Sequence, residues 1–269
     1  METTPPYTAT SVSLVDRNSN TDVSRMVALE VPISVTYNGI AHVVMMITPI
    51  DMQDFVIGFS LSEGIIGSAE DIKSIDIRQE DDGYIADTWI SDTLQTTLLG
   101  KRRNLVGQTG CGICGVAELG DVRRTYPKVK TPPRYSRDQL FDMVENLVNH
   151  QVINKQTGAV HAAAYVANNG AIDCVREDVG RHNALDKLIG HCQQQSKNIS
   201  EGAIILTSRC SFELVQKAIA AKAPMLITIS VPTSMAVEIA KAHDLTLICL
   251  ARSDNMLVFN DPFSYFEDM

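Results

Sequence analysis

Two thiols stand three residues apart in Thr109-Gly110-Cys111-Gly112-Ile113-Cys114-Gly115. That spacing lets both sulfurs face one point, and the glycines beside them remove side chains that would shield them. A thiolate is the reactive form of cysteine, so such a pair needs access and a lowered pKa to act as nucleophile, sulfur carrier or redox centre. A buried structural pair is the competing reading. The remaining cysteines, Cys174, Cys192, Cys210 and Cys249, are scattered singly and read as small core hydrophobes.

Two further groups could bind or orient a substrate. Glu177-Asp178-Val179-Gly180-Arg181-His182-Asn183-Ala184-Leu185-Asp186-Lys187 is dense in charge. A solvated helix start accounts for Glu177, Asp178, Asp186 and Lys187. Arg181, His182 and Asn183 at a glycine turn suit phosphate binding or the orienting of a catalytic group. The second group lies in Ser208-Arg209-Cys210-Ser211, Val231-Pro232-Thr233-Ser234 and Ala251-Arg252-Ser253-Asp254. All three segments carry hydroxyls and two carry arginine, a phosphate-friendly set. Ser211 and Ser234 serve equally well as helix N-caps.

His161 stands alone in an apolar run and reads as a core residue. Zinc deaminases place a glutamate two residues after such a histidine, and Pro-Cys-x-x-Cys after it. Here Ala163 holds the glutamate's place and the cysteines precede the histidine, so that chemistry is not expected. A closed zinc site wants four ligands, and one Cys-x-x-Cys supplies two.

These residues need elements to position them. The polar stretch 1–27 reads as a flexible tail. Val27 to Met46 alternates about Asn38-Gly39, a hairpin dipeptide. Thr48-Pro49-Ile50-Asp51 predicts a helix start with Thr48 as cap, the helix running to Glu63 with Gly64 as stop. Residues 72–99 alternate as further strands, so 28–127 forms a small mixed-sheet subdomain. Pro127, Pro132 and Pro133 frame a linker at 128–134.

An α/β domain at 135–269 follows. Ser136 opens a helix with Leu140, Met143, Val144, Leu147 and Val148 on one face. Strands at Val160–Val166 and Ala171–Arg176 precede a helix from Asn183 to Cys192. The apolar runs Ala203–Thr207, Met225–Ser230 and Leu245–Leu250 alternate with helices at Phe212–Ala221 and Met235–Ala242. That pattern predicts a parallel βαβαβ part with right-handed crossovers. Ligands of such sheets bind outside the carboxyl ends of the strands, where the three hydroxyl-bearing segments fall.

Composition sets outer bounds. Hydrophobic residues make up 45% of the 269 and charged residues 20%, which suits a globular chain of one large domain or two. A formal net charge of -9 argues against a general nucleic-acid binder. No apolar run reaches the roughly 20 residues of a membrane span. The first 20 residues lack the order of a signal peptide, so a cytoplasmic setting with reduced cysteines is expected.

The segments at 109–115 and 177–187, with Thr207-Ser208-Arg209, resemble the signatures of the formate dehydrogenase accessory sulfurtransferases, the FdhD proteins. Val31-Pro32, Tyr37-Asn38-Gly39, Thr48-Pro49, Gly58–Ile66 and Pro232–Val237 are similar to that family in the same order, over about residues 28–260. The resemblance implies a cytidine-deaminase-like α/β fold and a homodimer. It implies a sulfurtransferase that accepts persulfide sulfur from a cysteine desulfurase and delivers it to the molybdenum of bis-molybdopterin guanine dinucleotide. Formate dehydrogenase is the implied client, and no resident metal is implied. Cys111 corresponds to the persulfide-bearing cysteine, with Cys114 as companion.

The cofactor-binding residues implied are Ser208, Arg209, Thr233, Ser234, Arg181, His182 and the run Ala251-Arg252-Ser253-Asp254-Asn255-Met256. In that run the family's Gly-Arg is replaced by Asp254-Asn255, while Arg252 is kept. Two other readings stay open at this point: a cofactor-binding chaperone with structural cysteines, and a thiol–disulfide oxidoreductase.

Overall fold

The computed structural model describes residues 4–103, 125–130 and 132–267. Residues 7–28 form a two-stranded antiparallel ribbon, β1 (Tyr7–Val15) and β2 (Asn20–Ala28), rather than the loose tail expected from their polarity. Thr and Val recur through both strands and favour extended backbone. Asp16 closes the turn by accepting from the backbone N–H groups of Asn18 and Ser19. The ribbon buries almost no side chains, which is why its composition reads as a tail.

A four-stranded sheet follows, ordered β4-β3-β6-β5, with β3 Val31–Tyr37, β4 Ile40–Ile47, β5 Ile72–Glu80 and β6 Gly83–Ile90. Asn38 (φ 47°) and Gly39 (φ 78°) both occupy the left-handed region, as the hairpin dipeptide requires. The strand reading of 72–99 holds only to Ile90. Beyond it lies α2 (Asp92–Arg103), opened by Ser91, whose hydroxyl accepts from Leu94 N–H. Leu94 and Leu98, one turn apart, pack against the sheet's core of Ile33, Val35 and Phe55.

The larger sheet runs β12-β11-β10-β9-β7-β8. Its strands are β7 His161–Val166, β8 Ile172–Asp178, β9 Ala203–Leu206, β10 Met225–Thr228, β11 Thr246–Cys249 and β12 Leu257–Asn260. The strands β9, β10 and β11 are parallel, as the βαβαβ pattern predicts; β7 and the unforeseen β12 run against them, and β8, antiparallel to β7, runs with them. Helices α5 (Arg181–Gln194), α6 (Phe212–Ala220) and α7 (Ser234–Ala242) cover one face over Ile204, Leu206, Leu226 and Leu247. Helix α3 (Arg137–His150) covers the other over Ala203, Ile205, Ile227 and Ile248. Burial on both faces explains the unbroken apolar runs. Of α3's expected apolar face, Val148 alone is exposed.

The expected linker at 128–134 is anchored at its first two residues. Val129 is buried against the core and donates its N–H to His243 O, and Lys128 pairs with Asp244.

The two halves are interlocked through α1 (Met52–Ser62) and α5. Gly58 and Gly190 bring the helices so close that a Cβ on Gly58 would lie 1.7 Å from Asp186 O, and one on Gly190 1.9 Å from Asp54 O. Buried polar groups flank this crossing. Lys187 Nζ reaches Asp178 at 2.7 Å and donates to Thr48 O. Asp178 accepts from Thr48 N–H and Asn183 Nδ2, and Asn183 also donates to Met46 O. Lys217 Nζ meets Asp186 at 3.0 Å, Glu63 at 2.9 Å and the Ser62 hydroxyl at 2.8 Å.

Thr48 is therefore not the cap of α1. Its hydroxyl accepts from Val179 N–H across the interface, and Asp51 in left-handed backbone (φ 51°) takes the cap position. Glu177, Asp178, Asp186 and Lys187, expected in solvent, are all buried. Asp178 pairs with Lys187 and Asp186 with Lys217, whereas Glu177 accepts from backbone N–H groups; removing one partner of such a buried ion pair costs about 3–5 kcal/mol.

Gly58→Ala or Gly190→Ala drives a methyl group into a backbone carbonyl and is expected to cost about 3 kcal/mol or more in urea unfolding. Gly67→Ala, whose methyl would lie 3.6 Å from Asp71, should stay within about 0.5 kcal/mol. Equal stability of the Gly58 and Gly67 variants would remove the interlock from this account.

Candidate functional site

A cavity of about 530 Å³ opens where the sequence places a ligand, outside the carboxyl ends of the parallel strands. Thr207 follows β9, Ile229 follows β10, and Ala251, Arg252 and Ser253 follow β11. His161 joins them because β7 runs antiparallel to β9 and so begins at that end of the sheet. The far wall comes from α3, through Val144, Leu147 and Val148, and from the short α4 (Val152–Thr157) through Asn154.

Two local devices shape this end. Leu250 takes φ 52°, an unusual conformation for a branched side chain, and it turns the chain out of β11 into the Arg252 loop. That loop closes by Arg252 N–H donating to Asn255 O. On the opposite wall, the buried Glu177 carboxylate accepts from Ile153 and Asn154 N–H and so caps α4. Burial nonetheless pushes the Glu177 pKa up, the backbone donors opposing it.

His161 is the residue that sequence reasoning assigned to the core and the structure assigns to the cavity. It is half-buried. Burial, then the charges of Arg181 and Arg209, hold its pKa below the ordinary histidine value, against the pull of Asp178. The imidazole is thus neutral at pH 7, able to accept or to donate one hydrogen bond. The antiparallel start of β7 could have revealed this only if the strand order had been known.

The other expected residues divide. Arg181 opens α5 beside His161, and its Nε is buried with no hydrogen-bond partner among the described residues, an unmet donor of the kind an anion satisfies. Arg209 is exposed on the same side. His182 Nε2 contacts Glu213 at 3.1 Å, and that contact holds the Glu213 carboxyl below its usual range. Ser211 heads α6 without a side-chain cap bond, whereas Thr233 does cap α7 through Ala236 N–H, leaving Ser234 as its exposed first residue.

Ser208 is buried and donates to Arg209 O. Asp254 and Asn255 are exposed at the turn, and Met256 packs against the α3-side core. None of these three, nor Ser208, lines the cavity. Cys111 and Cys114 lie outside the described residues. Among the described residues no group of three or more His, Cys, Asp or Glu is placed to hold a metal ion. No described helix is long and apolar enough to cross a membrane.

Comparison with known proteins sharpens this picture. The profile of the FdhD/NarQ family matches residues 28–265. A protein of Variovorax paradoxus named sulfur carrier protein FdhD is 41% identical over 237 residues, 88% of this chain and 85% of its own. Its namesake in Xanthomonas euvesicatoria is 42% identical over 240 residues, 89% of this chain and 85% of its own. A crystal structure from Desulfotalea psychrophila, provisionally described as a formate dehydrogenase accessory protein, superposes with a TM-score of 0.72 at 21% identity. It covers 96% of this chain and 98% of that one, which establishes a shared fold.

The lowered pKa of His161 has a sign that can be tested. Between its folded value and the ordinary value near 6.5, the unfolded chain binds a proton that the folded chain does not, so stability falls as the pH drops through that interval. His161→Gln should flatten this part of the stability profile. Arg209→Gln should raise the imidazole pKa, read by NMR titration, by a few tenths of a unit, since an exposed guanidinium is screened. A fall in that pKa would contradict the assigned surroundings.

Proposed function

On the premise that the chain belongs to the FdhD/NarQ family, we propose that it is a sulfur carrier acting through Cys111. The sulfur donor in this reading is a persulfide on a cysteine desulfurase. The acceptor is the molybdenum of bis-molybdopterin guanine dinucleotide, a substrate held in transit to formate dehydrogenase. A cytoplasmic homodimer with a cytidine-deaminase-like α/β domain, in which Ala163 stands for the deaminase glutamate, belongs to the same reading. The observation that carries it is the Gly-flanked Cys111–Cys114 pair within the family-matching segment 28–265.

The chemistry balances in two exchanges. The Cys111 thiolate attacks the terminal sulfur of the donor persulfide; the sulfur–sulfur bond breaks, the donor leaves as a thiolate, and Cys111 carries the persulfide. Attack by the Cys114 thiolate on the Cys111 inner sulfur then releases hydrosulfide for the metal and leaves a Cys111–Cys114 disulfide. A dithiol reductant reopens it.

The cavity supports the other half of the reading. Its apolar wall on α3 suits a flat heterocycle, and Arg252, with Arg181 and Arg209 nearby, supplies charge for phosphates. Asp254 does not line the cavity, so its carboxylate need not oppose the phosphates there.

Incubation with a desulfurase and cysteine should add one sulfur atom to the intact mass, removable by reductant. Cys111→Ala should abolish both that gain and formate dehydrogenase maturation. Full maturation by that variant would end the carrier reading and leave a binding chaperone; a loss of two hydrogens with no sulfur gain would favour a thiol–disulfide oxidoreductase. Arg252→Ala should weaken guanosine diphosphate binding about tenfold by calorimetry, the equivalent of one charge-assisted hydrogen bond.

A further inference from the structure

The four cysteines read from the sequence as isolated core residues stand in two facing pairs. Cys210 and Cys249 are both sealed in the core, hydrogen-bonded to each other. Cys174 and Cys192 differ. Their sulfurs lie 3.9 Å apart, Cys174 on the edge strand β8 and Cys192 on the sheet-facing side of α5. Cys192 is fully buried, whereas Cys174 is only partly buried. One thiol is thus reachable by a small molecule and the other waits behind it.

The surroundings favour reaction at the outer sulfur. The hydrogen bond from Cys192 lowers the Cys174 pKa; burial and Asp173 oppose it, and Arg176 and Lys197 assist. The Cys192 thiol is pushed up by that same bond and by burial, so it keeps its proton. A partly covered thiol on an edge strand suits a small oxidant such as a peroxide better than a folded disulfide donor. The sulfurs, 3.9 Å apart, need to close by about 2 Å to reach bonding distance.

We propose that Cys174 and Cys192 form a second thiol site, an oxidisable dithiol for small peroxides that closes to a disulfide between β8 and α5. The Cys174 thiolate attacks one peroxide oxygen. The oxygen–oxygen bond breaks, hydroxide leaves and takes up the proton shed by the Cys174 thiol to become the first water, and Cys174 becomes a sulfenic acid. The Cys192 sulfur then attacks the Cys174 sulfur; the sulfur–oxygen bond breaks and the second water leaves with the Cys192 proton. Two thiols lose two electrons and two protons, and one hydrogen peroxide becomes two waters. The proposal stands independently of the sulfur-carrier reading. Its product would tie the strand that carries Glu177 and Asp178 to the helix that crosses α1.

The test uses the full chain with Cys111→Ser and Cys114→Ser, so that only the four core cysteines remain, and hydrogen peroxide as the probe. Peptide mapping without reductant should find Cys174 joined to Cys192, with a loss of two hydrogens reversed by dithiothreitol. Cys210 and Cys249 should stay thiols while the chain is folded. Closing a loop of 18 residues should raise the melting temperature by roughly 5 °C or more.

Cys192→Ala should leave a Cys174 sulfenic acid that dimedone traps. Should that variant fail to fold, Cys174→Ser, at the partly buried position, should abolish the crosslink instead. Direct passage of Cys174 to sulfinic acid in the pair-intact chain, a crosslink to Cys210 or Cys249, or two thiols inert until denaturation would each overturn the proposal.

Discussion

The whole arrangement depends on how closely α1 approaches α5. Two glycines let one helix backbone lie on the other, and no other residue fits at either position. Around that dry contact, Lys187 and Lys217 each carry a charge from the larger domain into carboxylate, hydroxyl and carbonyl groups at the crossing. Backbone proximity keeps water from these charges, and a slip would take Thr48 O from Lys187, and Ser62 and Glu63 from Lys217, leaving buried donors unmet. Shape and electrostatics thus impose one register between the two halves.

This interlock divides the most charged segment of the chain into two occupations. Asp178, Asn183, Asp186 and Lys187 point inwards and hold the halves together, while Arg181 and His182 point towards the carboxyl end of the sheet. Glu177 sits between the two roles. It neither joins the interlock nor meets a ligand; it fixes α4, which walls the cavity. Charge density in a sequence is therefore a poor guide to which residues act, since burial with partners and exposure at a site draw on the same residue types.

What could be read beforehand follows from this. Period and run length are local properties, so the parallel strands β9 to β11, their helices and the Asn38-Gly39 hairpin were legible. So was the end of the sheet at which the cavity opens. The ribbon β1–β2 was not, because its stability lies in backbone pairing and leaves no apolar signature. Thr48 was misread as a cap because its partners, Asp178, Val179 and Lys187, lie far along the chain. His161 was misplaced because strand direction, not strand composition, decides which end of β7 faces the cavity.

The separation between those partners also bears on how the chain is made. Thr48 and Asp178 are 130 residues apart, and Ser62 and Lys217 are 155 apart. At about 5–20 residues per second on a ribosome, roughly 7–26 s pass between the emergence of Thr48 and that of Asp178. Through that time α1 carries a bare glycine seam with no helix to receive it. The N-terminal half is thus born unfinished, and its seam stays wet until α5 has left the ribosome.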